Sequence, residues 1–379
     1  MMISLTKDTF QLIRVFEPKL SYSDKYSVIK AVVNNQISGT TENVQIFEYK
    51  LAELFDRKFA IALTNGTTAL EMALRTLDLK KNDEVVVPSF TIISCLSAIV
   101  RSGAKPVFCD VDKDSWNMTL DDVKRVVTPN TKALIMVHTY GLPADAKNIT
   151  EFCQKEGIKI IEDTAEAHGQ YESGIKCGSF GLLSTLSFYA NKHITTGEGG
   201  AILTDSEELY LKLKKMVNLD FGKINRFNHS NLYWNHRLGG LQAALGIAQI
   251  NGVNKTIKNK QKQAKIYDKA FSGFENLFSI PQKFYGSTEN HYWVYGIVLK
   301  KDNERDKLMS YLEKENIQTR AFFWPLHLQD AIKEYSLNTK ELKNSEHIGK
   351  NGLYLPIGKH MSLKKQRYVI SKILKFYGF

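Results

Sequence analysis

The sequence predicts an α/β protein with a large mixed-sheet domain followed by a smaller α+β domain, and three observations carry that expectation. Short apolar runs alternate with helical patterns between residues 59 and 203, as in a sheet covered by helices on both faces. The 379 residues are 43% hydrophobic, enough to fill one large core and a smaller one. From about Phe271 the pattern changes to a strand-like run at 292–299 and a helical stretch at 304–315. The large domain is expected over 1–250, including an N-terminal segment, and the small one over 251–379.

Phe59-Ala60-Ile61-Ala62-Leu63 reads as a short buried strand, being apolar throughout and bounded by polar residues. It runs into Thr64-Asn65-Gly66-Thr67-Thr68 and then a helical pattern at 69–77. Further strands are expected at 85–87, 106–109, 133–137, 158–161, 185–188 and 201–203, joining the first in one sheet. The functional loops sit mostly at strand ends. Residues 237–250 form a helical run rich in Ala, Leu and Ile. A lysine-rich helix follows at 255–265, with its lysines spaced for a solvated face, and crosses into the small domain.

The chemistry is concentrated in Ser187-Phe188-Tyr189-Ala190-Asn191-Lys192, followed by His193-Ile194-Thr195-Thr196-Gly197-Glu198-Gly199-Gly200. Upstream, the strand at 158–161 ends in Glu162-Asp163, a carboxylate where a buried strand leaves a sheet. Lysine plus strand-end aspartate fits pyridoxal phosphate, which needs an amine for its aldehyde, an anion for its ring nitrogen and donors for its phosphate. Lys192 supplies the amine, and partial desolvation would lower its pKa toward that of a nucleophile and proton carrier. Asp163 supplies the anion. The strand–turn–helix at Gly66, Thr67 and Thr68 supplies free first-turn amides at the positive end of a helix dipole, and Ser187 adds a hydroxyl. Singly, each feature has a structural reading: a surface lysine, a turn-forming aspartate, a helix cap. Their order along the chain and the glycines around them favour the cofactor.

Glu162-Asp163-Thr164-Ala165-Glu166-Ala167-His168-Gly169, the 187–200 loop and Asn65-Gly66-Thr67-Thr68-Ala69-Leu70 together resemble the DegT/DnrJ/EryC1/StrS family of nucleotide-sugar aminotransferases. Val87-Pro88-Ser89-Phe90-Thr91, His138-Thr139-Tyr140-Gly141-Leu142-Pro143 and Thr319-Arg320-Ala321-Phe322-Phe323-Trp324-Pro325-Leu326-His327 extend the likeness over nearly the whole chain. The resemblance implies the aspartate aminotransferase-like fold (fold type I), with Lys192 as the covalent attachment point and Asp163 as partner of the pyridine nitrogen. It places Glu166 near the cofactor hydroxyl, Gly66, Thr67 and Ser187 at the phosphate, and Thr91 and Ile92 beside the ring. Some members carry a stacking aromatic at the position of Ile92. Asn235 and Arg237 match a segment that reaches into the neighbouring subunit's site, which implies a homodimer. Ser38, Thr40 and Thr41 match a loop near the sugar, with Thr41 replacing a glycine common in the family.

The substrates so implied are L-glutamate and a nucleotide-linked keto-deoxysugar, the 191–200 loop being most similar to that of enzymes acting on a 4-keto-6-deoxymannose nucleotide. Trp324 and His327 are expected on the sugar side of the site, although aromatics beside a proline are more often core. Three alternatives stay open: an acceptor on dTDP or UDP, aminated at C3 or C4; a sugar dehydratase, which in this family has histidine in place of the lysine; and a non-catalytic cofactor-binding protein.

The net charge of +11 is read as general basicity that helps attract a nucleotide diphosphate sugar, since no nucleic-acid motif accompanies it. Cys95, Cys109, Cys153 and Cys177 are widely spaced, without a CxxC pair or histidines at zinc spacing, so reduced thiols and no metal are expected. The segment Met1 to Asp8 lacks a signal-peptide pattern and no apolar run is long enough to span a bilayer, which leads us to expect a soluble cytoplasmic protein.

Overall fold

The computed structural model describes residues 11–222, 224–335 and 341–379; the Met1 to Asp8 segment lies outside them. Its centre is a seven-stranded sheet, labelled here β1 (Phe59–Leu63), β2 (Glu84–Pro88), β3 (Lys105–Cys109), β4 (Thr131–Val137), β5 (Lys159–Asp163), β6 (Leu183–Ser187) and β7 (Gly200–Thr204). The spatial order is β1-β7-β6-β5-β4-β2-β3. The block β6-β5-β4-β2-β3 is parallel, and β7 runs antiparallel to both β6 and β1, so the sheet is mixed as expected.

Period-two alternation gives each strand two buried faces. Val85, Val87, Ala133 and Ile135 enter one core with the helices Gly66–Arg75 and Ile93–Ser102. Val86, Leu134 and Met136 enter another with Ile149 and Cys153 of the helix Ala146–Lys155.

A second sheet is built from Phe278–Ser279, Tyr295–Leu299, Gly352–Leu355 and Arg320–Ala321, in that spatial order. The strand expected over 292–299 is shorter, because Tyr292 takes a left-handed conformation (φ 50°) and Trp293 N–H donates to Tyr140 O instead of a strand partner. The helix expected at 304–315 is observed as Arg305–Lys314.

The two helices expected on either side of Ile250 are one, Gly240–Phe271, of 32 residues. Gly252 lowers its helical propensity by about 1 kcal/mol relative to alanine, but Val253 and Ile257 on the same stretch are buried against Phe47 and Leu51 of the helix Glu42–Leu54, which keeps the chain helical. Its lysines also need correction: Lys255, Lys258, Lys262 and Lys265 face solvent, whereas Lys260 is buried. The proposed division at residue 250 therefore cuts a continuous helix, whose Ala264, Tyr267 and Phe271 belong to the second core together with Ile13 from the N-terminal segment.

One buried carboxylate links the strands beneath the site. Glu162, fully buried next to Asp163, accepts hydrogen bonds from His138 Nε2 (2.9 Å), the amides of Gly178, Phe180 (2.8 Å) and Gly181 (2.9 Å), and Ser184 Oγ (2.9 Å). Burial alone would raise its pKa, but the His138 imidazole and the backbone amides outweigh that and hold it below the ordinary carboxylate value. Its stabilising contribution is therefore present above the unfolded-chain pKa of about 4.3 and is lost as pH falls through the lower native value. Glu162→Gln should destabilise the fold by about 3 kcal/mol or more, because an amide NH₂ would face buried donors. Denaturant unfolding checks this; a loss under about 0.5 kcal/mol, the range of a surface substitution, would contradict it.

Candidate active site

The parallel strands deliver their C-terminal ends to a cleft of about 750 Å³, the place where open α/β sheets bind ligands. Asp163 ends β5 and Ser187 ends β6, and the helix Gly66–Arg75 begins just after β1. Asn65 caps that helix, its Oδ1 accepting from Thr68 N–H at 2.8 Å. The amides of Gly66 and Thr67, at the first two helical positions, have no intrahelical partner. A Cβ on Gly66 would lie 2.8 Å from Ser187 Cβ, so only glycine lets the helix start come this close to the end of β6. Thr67 Oγ1 and Ser94 Oγ are 2.7 Å apart on the same rim.

Opposite this cradle, Asp163 is buried, with Oδ1 accepting from Ala165 N–H (3.1 Å) and Oδ2 from the Cys95 thiol (3.5 Å). Burial raises its pKa, so a cation facing it is what would favour its charged form. Lys192 reaches in from the loop after β6, its Nζ 3.4 Å from Glu166 Oε1 and 3.6 Å from the centre of the Trp293 ring. Burial lowers the Lys192 pKa although Glu166 and Asp163 oppose the shift. Glu166 also accepts from Tyr140 N–H (2.9 Å), and burial pushes its carboxyl up to about 7.

Lys192, Asp163, Glu166, Gly66, Thr67, Thr68, Ser187 and Ile92 thus share one cleft. An amine, a buried anion and a glycine-lined set of free amides fit the aldehyde, ring nitrogen and phosphate of pyridoxal phosphate. His193, next in sequence to Lys192, does not line the cleft; its Nε2 donates to His291 O at 3.2 Å.

Thr40, Thr41 and Arg237 line a separate hollow of about 220 Å³, in which Arg237 donates to Asn235 Oδ1 (2.9 Å) and Asn218 Oδ1 (2.8 Å). Ser38 is bonded to Thr40 and Thr41 beside it. The structure does not bring Trp324 or His327 to the cleft. His327 is buried, bonded to Ser89 Oγ (2.5 Å) and to Glu346 Oε1 (3.4 Å), and the half-exposed Trp324 donates to Leu328 O. Phe323 is the member of that aromatic run that lines the cleft.

The sequence reading missed Cys95, Trp293, Arg320 and Tyr354, all of which line the cleft or touch its residues. Of these only Arg320 lay in a quoted motif, and no local pattern marks the others.

A profile of the DegT/DnrJ/EryC1/StrS aminotransferase family matches residues 21–374. The chain belongs to that family. GDP-perosamine synthase of Escherichia coli O157:H7 is 34% identical over 368 residues, 97% of this chain and 99% of that protein. GDP-perosamine synthase of Vibrio cholerae is 35% identical over 348 residues, 91% and 94% of the two chains. An aminotransferase from Streptoalloteichus hindustanus superposes with a TM-score of 0.91 at 25% identity, covering 97% of this chain and all of that one. The protein is therefore a pyridoxal phosphate-dependent sugar aminotransferase with the mixed α/β fold expected. Among the described residues no helix is long and apolar enough to cross a membrane.

Burial gives Glu166 a native pKa near 7, so the folded protein binds more protons than the unfolded chain between about pH 4.3 and about 7. Its contribution to stability is present below that window and is lost as pH rises through it. In cofactor-free protein, Glu166→Gln should flatten the decline between about pH 5 and about pH 7.5 in urea unfolding. An undiminished slope would place the titrating group elsewhere.

Proposed function

We propose that this aminotransferase moves the amino group of L-glutamate to a keto-deoxysugar carried on a nucleoside diphosphate, with GDP-4-keto-6-deoxymannose as acceptor and GDP-perosamine as product. The observation carrying the chemistry is the meeting of Lys192, Asp163 and the Gly66–Ser187 cradle in one cleft. The acceptor is supported by two relatives, each named as GDP-perosamine synthase, alike over nearly the full chain. The enzyme would work in the cytoplasm as a homodimer, in which Asn235, Arg237 and the 38–41 loop, none of which lines the chain's own cleft, complete the partner's site.

Bound pyridoxal phosphate supplies an aldehyde that holds an amine and a ring that accepts the electron pair left when a proton departs from carbon. The amides of Gly66 and Thr67, with the hydroxyls of Thr67, Thr68 and Ser187, would hold the phosphate. Asp163 keeps its charge against the ring nitrogen, because in so buried a place a facing cation is the condition for ionisation. Ile92 would offer an apolar side chain to the ring, and Glu166, with its carboxyl pushed up to about 7, could hold a proton or a charge for the ring hydroxyl. Lys192, with its lowered pKa, takes the proton from the donor carbon and returns it within the cleft. In the net exchange glutamate gives up its nitrogen and takes a carbonyl oxygen from water as 2-oxoglutarate forms, while the sugar ketone oxygen leaves as water, so no water is gained or lost. The position of His193 outside the cleft argues against the dehydratase reading.

The test is the absorbance spectrum with pyridoxal phosphate, before and after L-glutamate, followed by mass analysis of products from GDP-, dTDP- and UDP-linked ketosugars. A lysine-bound cofactor band that bleaches with glutamate, and an aminated GDP sugar, are expected. Amination of a dTDP or UDP sugar alone would overturn the acceptor. Lys192→Ala should abolish both the band and turnover, and wild-type turnover in that variant would remove Lys192 from the chemistry.

A further inference from the structure

Trp293 lies just before a strand of the second sheet, far from Lys192 in sequence, yet five contacts converge on it. Its ring centre is 3.6 Å from Lys192 Nζ, so an ammonium there sits on the indole face. Its Nε1–H donates to Asn191 O at 3.1 Å, pinning the residue immediately before that lysine. Its carbonyl accepts from the buried Lys260 Nζ at 2.7 Å, while its own N–H donates to Tyr140 O at 3.0 Å. Phe323 stacks near it, with ring centroids 6.4 Å apart and planes at 18°. The indole is thus a fixed plate, 5% exposed, that separates the cleft from a small hollow of about 60 Å³ behind it.

We propose that Trp293 is a positioning residue for the cleft lysine: its indole face holds the Lys192 ammonium opposite Glu166 whenever that amine is not covalently engaged, and its ring N–H fixes the loop that carries it. The inference rests on Lys192 being the reactive amine. A lysine side chain has four rotatable carbons, and once released it would otherwise sample many rotamers. The plate confines it to the one direction from which it must deliver a proton.

The charged groups facing Lys192 come from several elements. Asp163 ends β5 and Glu166 follows it, Lys260 comes from the long helix, and Arg320 lines the same cleft from the second sheet. Glu17 and Lys19 face it from the N-terminal segment across the small hollow. His168 also faces it, but burial lowers its pKa to about 3 and keeps it neutral. The indole acts on Lys192 in two ways, its bulk shielding the amine from water, which lowers the pKa, and its face favouring the ammonium, which raises it; leucine keeps an apolar shield but offers no face, so the lost cation–π contact sets the sign in that variant.

The experiment uses cofactor-free protein and trace acetic anhydride, with acylation of the Lys192 peptide measured by mass spectrometry across pH. The rate rises as the ammonium loses its proton. In Trp293→Leu, loss of the indole face should shift the midpoint down by about one pH unit, as expected for a desolvated cation–π contact. In Trp293→Phe, which keeps a weaker ring but no N–H, it should shift by less in the same direction. An unchanged or raised midpoint in Trp293→Leu would overturn the proposal; if that variant does not fold, an unchanged midpoint in Trp293→Phe does so. Neither cofactor nor sugar enters the assay, so a wrong acceptor or an inactive enzyme would leave its outcome unaffected.

Discussion

The site depends on a carboxylate that takes no part in it. Glu162 draws donors from the turn after β4, from the 178–181 loop and from β6, and so sets the spacing of the two strands that flank β5. Because neighbouring residues of a strand point to opposite faces, fixing Glu162 on one side fixes Asp163 on the other. A surface ion pair could not do this, since solvent would let the strands slide. In the interior, five donors on one group leave a single arrangement that satisfies all of them. The anion that faces the cleft is thereby aimed by its neighbour in sequence.

Much of this was legible in the chain because it is local. Most strands of the large sheet announce themselves as short apolar runs, and the 187–200 loop, the 162–169 string and the 65–70 turn each carry their chemistry within a few residues. What could not be read is what folding brings from elsewhere. Trp293 looked like the start of a strand because alternation cannot reveal that Tyr292 turns left-handed and diverts the indole toward Lys192. Cys95 read only as one of four widely spaced thiols until its Sγ met Asp163. His327 and Trp324 failed for the opposite reason: their motif was recognisable, but Ser89 and Glu346 hold the histidine in the interior, outside the cleft lining.

Lysines in the chain show how poorly a residue type alone predicts its state. Lys255, Lys258, Lys262 and Lys265 follow the solvated-face pattern, whereas Lys260 in the same run is buried with a backbone carbonyl as its hydrogen-bond acceptor, and its pKa falls to about 7. The difference is rotational. A helix long enough to serve two cores must turn some of its polar positions inward, and the burial that results changes what an ammonium group can do.

That helix, Gly240–Phe271, has a consequence for how the protein comes apart. Its first half contributes Ala243, Val253 and Ile257 to the core under β1 and β7, and its second half contributes Ala264, Tyr267 and Phe271 to the core of the second sheet. Fraying that exposes one half removes hydrogen-bonded turns that support the other. The two halves of the molecule are therefore joined by a shared load rather than by a flexible tether, and melting of either would propagate along the helix into its neighbour.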